Sequence, residues 1–315
     1  MSLWHLKYRL QLRSKLRILL PLIDLVTLIP TAVAALYLRF MRRLGLNQMR
    51  LSKAALERIG LWPTLRHYYE PYFDRRLVRR PLDEPRALPG LDLNSQCSLA
   101  LLGDLAKYGD EPLAGFDPHN GTYGLPDAAL LYAMLRHFRP AYVVEIGSGN
   151  STLVMRLAHG GKHLCIEPFE MPWLEASGAT VLRRMVEQVE PAVFAELDAG
   201  DVLFVDNSHV VRPQGDVVTV IQEIIPQLRP GVIVHVHDLF TPRDYPPAWL
   251  LTDRTYWTEQ YLLESFLTWN AEFETLFAAN HIYTDYREAF DRLRPELAGQ
   301  DWHPPTAYWF RRKPA

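Results

Sequence analysis

Five short, almost unbroken apolar runs, separated by longer segments, constrain this chain more than any other feature. They read "AYVVEI" (141–146), "HLCIEP" (163–168), "TVLRRMV" (180–186), "DVLFVD" (201–206) and "GVIVHVHD" (231–238). A strand wetted on one face alternates apolar and polar residues, whereas a strand covered on both faces is apolar throughout. The segments between them include helical patterns. "LPDAALLYAMLRHFRP" has Pro126 near its start, Asp127 in its first turn, and Leu131, Met134, Leu135 and Phe138 on one face. "GDVVTVIQEIIPQL" and "TEQYLLESFLTW" continue the alternation, and "FETLFAAN" and "TAYWFRRK" add two more strands, the last after a long loop. The pattern predicts an α/β fold, a doubly wound seven-stranded Rossmann-like sheet with its function at the carboxyl ends of the strands.

The first strand runs into "VVEIGSGNSTLVM", a tight Gly147-Ser148-Gly149 turn between strand and helix with an acid, Glu145, just before it. A dinucleotide turn wants G-x-G-x-x-G, and Thr152 occupies the third glycine position, so close approach of a pyrophosphate is not provided for. The arrangement acid-x-Gly-x-Gly, followed 22 residues later by Glu167 at the end of the second strand, resembles the class I S-adenosylmethionine-dependent methyltransferases. Together with "LCIEP", "DVLFVDNSHVVRP", "RPGVIVHVHDLFTPRDYP" and "WTEQYLL", residues 116–315 look like the bacterial Methyltransferase-24-like group. There the family's usual third turn glycine is replaced by Ser151.

The resemblance implies S-adenosylmethionine as cofactor, held by Glu145, Gly147, Ser148, Gly149, Asn150, Ser151, Glu167, Glu187 and Asp206. A carboxylate such as Glu167 can accept both vicinal ribose hydroxyls, and glycines let the backbone touch the ligand. Asn120, Tyr123 and Asp127 precede the turn and are placed to close over the sulfonium end, with packing in the core the alternative for Tyr123. Asp206 ends the fourth strand, and His237 and Asp238 end the fifth. This resembles catechol and macrolide O-methyltransferases, in which acids after those two strands hold Mg²⁺. Asp206, His237 and Asp238 form the expected metal set, for a divalent ion (Mg, Mn or Zn). The imidazole departs from an all-oxygen site and suits Zn, Mn or Fe better. Without a metal, His209 or His237 would take the acceptor's proton as general base, beside Asp206. His235 reads as a core histidine.

The amino-terminal region has a different character. Residues 1–50 carry nine Lys or Arg against one acid, Asp24, in a chain whose formal net charge is −2. "ILLPLIDLVTLIPTAVAALYL", Ile18 to Leu38, is long enough to cross a bilayer but contains Pro21, Asp24 and Pro30. Ala32-Val33-Ala34 could mimic a signal-peptide cleavage site, yet Asp24 and the following Arg39, Arg42 and Arg43 argue against export. Five basic residues before the segment and four after give the positive-inside rule nothing to choose. A Pro-broken hairpin or interfacial helix puts both basic flanks on the anionic cytoplasmic leaflet, and docking on the chain's own body or on a twin is the alternative. The organisation expected is a membrane-associating segment at 1–50, a helical and extended cap at 51–115 and a methyltransferase domain at 116–315. In the cap, "SKAALERIGLWP" offers Ser52 as a helix cap, and His67, Tyr68 and Tyr69 could line an entrance.

The function expected is O-methylation of a hydroxyl on a glycan-, lipid- or metabolite-like acceptor at the cytoplasmic membrane surface, with no nucleic-acid partner. A tethered non-catalytic cofactor-binding scaffold and an NAD-linked oxidoreductase are the alternatives. Cys97 and Cys165 have no metal-like spacing and fit a reducing compartment.

Overall fold

The structure, a computed structural model, describes residues 19–65, 69–71 and 75–314. The basic residues Lys7 to Arg17, His67 and Tyr68 lie outside the described residues. Two compact units make up the chain, Met1–Arg79 and Arg80–Ala315.

In the first unit, Leu20–Arg43 forms one continuous helix, α1, with Pro30 inside it. The expected break into a hairpin therefore does not occur. Pro21 occupies the first turn, where a missing N–H costs nothing, and the Thr27 hydroxyl donates back to the Ile23 carbonyl at 2.8 Å. None of the α1 residues is buried. Helix α2 spans Arg50–Arg58, so Ser52 lies within it and does not cap it. Gly60, at φ +70°, ends the turn by letting the Leu61 N–H reach the Leu56 carbonyl at 2.9 Å.

The second unit contains all seven expected strands: β1 Tyr142–Ile146, β2 Lys162–Ile166, β3 Thr180–Leu182, β4 Val202–Val205, β5 Ile233–Val236, β6 Phe273–Ala278 and β7 Tyr308–Arg312. Their order is β3-β2-β1-β4-β5-β7-β6. Strands β1 to β5 pair in parallel, whereas β7 runs antiparallel to both β5 and β6. Period-two alternation divides the strands between two cores. Val143, Val202, Phe204, Ile233 and Trp309 pack with helices α3 (Ser95–Leu105), α4 (Leu125–Phe138) and α5 (Asn150–Ala158). Val144, Leu203, Val205, Val234 and Phe310 pack on the other face. Their partners are α6, which starts at Asp216–Val218 and widens into a π-helical stretch over Thr219–Ile224, and α7, Glu259–Leu267.

Helix α3 is tied to β6 by Asn94 Nδ2 to the Thr275 carbonyl (2.9 Å) and Ser98 Oγ to the Leu276 carbonyl (3.1 Å). Residues 80–115, expected to belong to a cap, thus fall within the second unit.

The strand order reverses between β1 and β4, and there the glycine turn meets Asp206. The Asp206 N–H donates to the Ile146 carbonyl (2.9 Å), and the Gly147 N–H to that of Ile166 (3.1 Å). Gly147 has φ +87°, and a Cβ there would stand 2.1 Å from the Asp206 carbonyl oxygen. Only glycine meets both conditions.

Candidate active site

Glu145 shares the face of Val143 and points beneath α5, fully buried. Its carboxylate accepts from Ser151 Oγ (2.7 Å), Thr152 Oγ1 (2.9 Å) and Cys165 Sγ (3.1 Å), and pairs with His163 Nε2 (2.9 Å). The Thr152 hydroxyl also accepts the Gly149 N–H at 3.1 Å. Ser151 and Thr152, which replace glycines of the two related motifs, therefore brace the turn from below. Fully buried beneath α5 with these partners, Glu145 braces the turn's conformation. Burial, reinforced by the neighbouring Glu145 charge, pushes the Cys165 thiol far up, so it stays a donor.

Above the turn the groups are more open. Glu167, just past β2, accepts the Phe169 N–H (2.6 Å) and the Ser148 hydroxyl (3.1 Å). Burial raises its pKa, with those two bonds opposing. A Cβ on Gly149 would meet nothing within 4 Å, so that side of the turn is free for a ligand. Asn150 Nδ2 donates to Thr122 Oγ1 (2.8 Å), in a turn organised by Asn120, whose side-chain oxygen accepts the N–H groups of Thr122 and Tyr123. Glu187 lies exposed in the short turn after β3.

At the ends of β4 and β5 the structure brings together Asp206, His209 and Asp238, with ligand-competent atoms all within 4.8 Å of one another. His209 Nε2 is 3.3 Å from Asp206 Oδ1 and 3.4 Å from Asp238 Oδ2. His209 thus takes the place expected of His237 in the metal set. His237 is on the other side of Asp238, its Nε2 3.3 Å from Thr306 Oγ1 and 3.8 Å from Asp238 Oδ1, with Nδ1 unpartnered.

The loop carrying His209 is held by two helix starts. Ser208 N–H and Oγ donate to Asp216 of α6 (2.8 and 2.7 Å). His209 Nδ1 pairs with Glu259 Oε2 of α7 at 2.8 Å, and the Thr258 N–H donates to the His209 carbonyl at 2.8 Å. Glu259 is wholly buried, and Trp257 packs against the imidazole with ring centroids 4.2 Å apart. Sequence reasoning missed Glu259, because an acid in the first turn of a helix already has a reason to be there in the helix dipole.

Burial alone would lower the His209 pKa, but its bonds to Asp206 and Glu259 prevail and hold it well above the ordinary imidazole value. His237 is also raised: burial lowers it, and Asp238, Asp127 and Asp206 overcome that. Asp127, buried and accepting the Thr306 N–H at 3.0 Å, is pushed up to about 6 by burial. His235 is core, stacked on Phe204 at 4.1 Å, yet neither ring nitrogen has a partner, so it packs as an aromatic disc held neutral by burial. Tyr123 is core as well, with its ring 5.0 Å from that of His237.

A cavity of about 1100 Å³ opens beside His237 and Asp238, with Tyr123, Asp127 and Thr306 in its lining. A central glycine turn, an acid after β2 and a polar cluster after β4 and β5, on a sheet with an antiparallel seventh strand, define a class I methyltransferase domain. Residues 144–239 match the family model described as a methyltransferase domain, and the chain is an S-adenosylmethionine-dependent methyltransferase. This replaces the nicotinamide and non-catalytic alternatives.

Among solved structures, the chain is similar to the O-methyltransferase TomG from Streptomyces achromogenes, involved in tomaymycin synthesis, in complex with S-adenosylmethionine. The two are 14% identical, with 69% of this chain and 90% of that one covered and a TM-score of 0.39. A second is the 1,6-didemethyltoxoflavin-N1-methyltransferase of Burkholderia thailandensis (15% identity, 73% and 94% covered, TM-score 0.35). A third is an O-methyltransferase from Bacillus cereus (12%, 56% and 81%, TM-score 0.35). No curated protein matches the chain.

Removing the Glu259 carboxylate should leave the His209 Nδ1 proton unpaired in a dry site. Glu259→Ala is expected to destabilise the fold by about 3–5 kcal/mol in urea unfolding, and Glu259→Gln, which keeps an acceptor, by much less. Equal stability of the alanine variant and the wild type would refute the role assigned to this pair.

Proposed function

We propose that the enzyme transfers the methyl group of S-adenosylmethionine to a hydroxyl of a glycan-, lipid- or metabolite-like acceptor at the cytoplasmic face of a membrane. The observation that carries the oxygen acceptor is the convergence of Asp206, His209 and Asp238 beside the cavity. A hydroxyl becomes a good nucleophile only as it loses its proton, and this cluster is built to take up positive charge there.

The cofactor supplies an electrophilic methyl group. Glu167 would accept its ribose hydroxyls, Ser148 holding the carboxylate in position, while the open side of Gly149 admits the ligand close to the backbone. Glu145 contributes indirectly, by fixing the turn.

Asp206, Asp238 and the Nε2 lone pair of His209 fit a divalent cation, with a donor set of two carboxylates and one imidazole suited to Mn or Zn. Such an ion would supply Lewis acidity to the acceptor oxygen. Glu259 keeps the His209 Nδ1–H paired and Nε2 turned to the carboxylates, the outer carboxylate that metal-bound histidines commonly have. His209 Nε2 faces both Asp206 and Asp238 while Glu259 holds Nδ1, an arrangement that supports the metal reading. In the metal-free reading, His237 faces the cavity and takes the acceptor proton, which Asp238 and Asp127 then stabilise.

Calorimetry tests the cofactor part. S-adenosylhomocysteine should bind, with EDTA present or absent, and Glu167→Ala should weaken it by about 1.5–3 kcal/mol through lost charge-assisted hydrogen bonds. NAD binding in place of S-adenosylhomocysteine would sink this reading.

The membrane part is supported by α1. Leu25, Val26 and Ile29 are 68%, 69% and 75% exposed, in a helix with an 18-residue stretch of mean hydropathy 1.8 that would be about 27 Å long at 1.5 Å per residue. So much exposed apolar surface calls for a cover, and a bilayer suits its length. Full-length protein should float with anionic liposomes, and the double variant Leu25→Lys, Ile29→Lys should not. Undiminished flotation of the variant would remove α1 as the anchor.

A further inference from the structure

The lining of the cavity has a one-sided charge. It includes the carboxylates of Asp83, Asp127, Asp238, Asp244 and Asp301, and a single permanent cation, Arg243. That cation is partly used: its Nη2 pairs with Asp285 at 2.6 Å and its Nε donates to the Asp83 carbonyl at 3.0 Å, which leaves Nη1 without a partner. Asp244 is balanced by Arg80 at 2.7 Å and Arg86 at 3.3 Å. Asp83 and Asp301 are exposed, and Asp127 and Asp238 lie deeper, beside His237. Among the described residues of the lining, carboxylates outnumber cations five to one, and the one arginine is paired with a carboxylate.

The lining is also aromatic at two separate places. His119 and Trp302 stack with centroids 5.2 Å apart and planes 23° apart. Phe240 and Trp249 meet edge to face at 5.3 Å. Flat π surfaces take the face of a ring, and carboxylates accept the hydroxyl protons around its edge.

We propose that this cavity is the acceptor site and that it selects a hydroxyl-bearing six-membered ring carrying no phosphate or carboxylate. The inference rests on the methyltransferase reading above and narrows it. Trp302 and Trp249 bind the ring faces, Asp238 and His237 meet the reacting hydroxyl, and Asp83 and Asp301 repel anionic substituents at the mouth. A pyranoside and a phenol share this chemistry, and separate probes distinguish them.

The test is saturation-transfer NMR on the full chain saturated with S-adenosylhomocysteine, with methyl α-mannopyranoside, catechol and mannose 6-phosphate as probes. At least one neutral ring should bind, at least about 10-fold more tightly than the phosphorylated sugar, since like charges facing each other at a site oppose binding. Whichever neutral probe binds identifies the source of the ring. Trp302→Ala or Trp249→Ala should abolish its signal. Asp301→Lys, a change at an exposed position, should raise mannose 6-phosphate binding relative to the neutral ring. The inference is overturned if mannose 6-phosphate binds as well as the neutral rings, if neither neutral ring binds at millimolar concentration, or if both tryptophan variants keep the wild-type signal. Calorimetric binding of S-adenosylhomocysteine in the same samples separates the two levels: retained binding leaves the methyltransferase reading standing when the acceptor class fails.

Discussion

One buried carboxylate, Glu145, underlies the geometry of the whole site. A carboxyl group with no access to water is tolerated only when its polar atoms are hydrogen-bonded, and Glu145 draws its partners from α5 and β2. Those bonds fix where α5 starts and hence the path of the glycine turn. The turn can then press Gly147 against the Asp206 carbonyl, which sets the glycine turn against the end of β4. A break in the Glu145 network would therefore disturb the turn and the end of β4 together.

The second organising constraint is the concentration of negative charge around His209. Asp206 and Asp238 approach one ring nitrogen and Glu259 approaches the other. Three carboxyl groups cannot all stay ionised in so small a volume without positive charge among them. An imidazolium supplies one such charge and a divalent cation a larger one. The arrangement is suited to exchanging one for the other, which is why the cluster reads as a metal-competent centre and a free histidine base fits it less well. His237 lies on the other side of Asp238 and lines the cavity.

Much of the fold was legible in the sequence. The central strands β1, β4 and β5 announce themselves because burial on both faces demands unbroken apolar runs, and α4 shows the expected Pro126 and Asp127 at its start. The direction of β7 was not legible, since an apolar run carries no sign of its orientation. The path of α1 through Pro30 was misjudged because proline penalises a helix locally while the surrounding run of helix formers and apolar residues continues it. In the site, the glycine turn, Glu167, Asp206 and Asp238 are readable as strand-end residues. The exchange of His209 for His237 is not, because it depends on the left-handed backbone of His209 (φ +59°) and on a helix start fifty residues away in the chain.

Crystals grown with S-adenosylhomocysteine and Mn²⁺ would test the account most directly, through anomalous scattering at the manganese edge. The account predicts a peak bounded by Asp206, His209 and Asp238, with the ligand's ribose on Glu167 above the Gly147–Gly149 turn. A ribose placed elsewhere on the sheet, or manganese absent from that cluster at millimolar concentration, would contradict it.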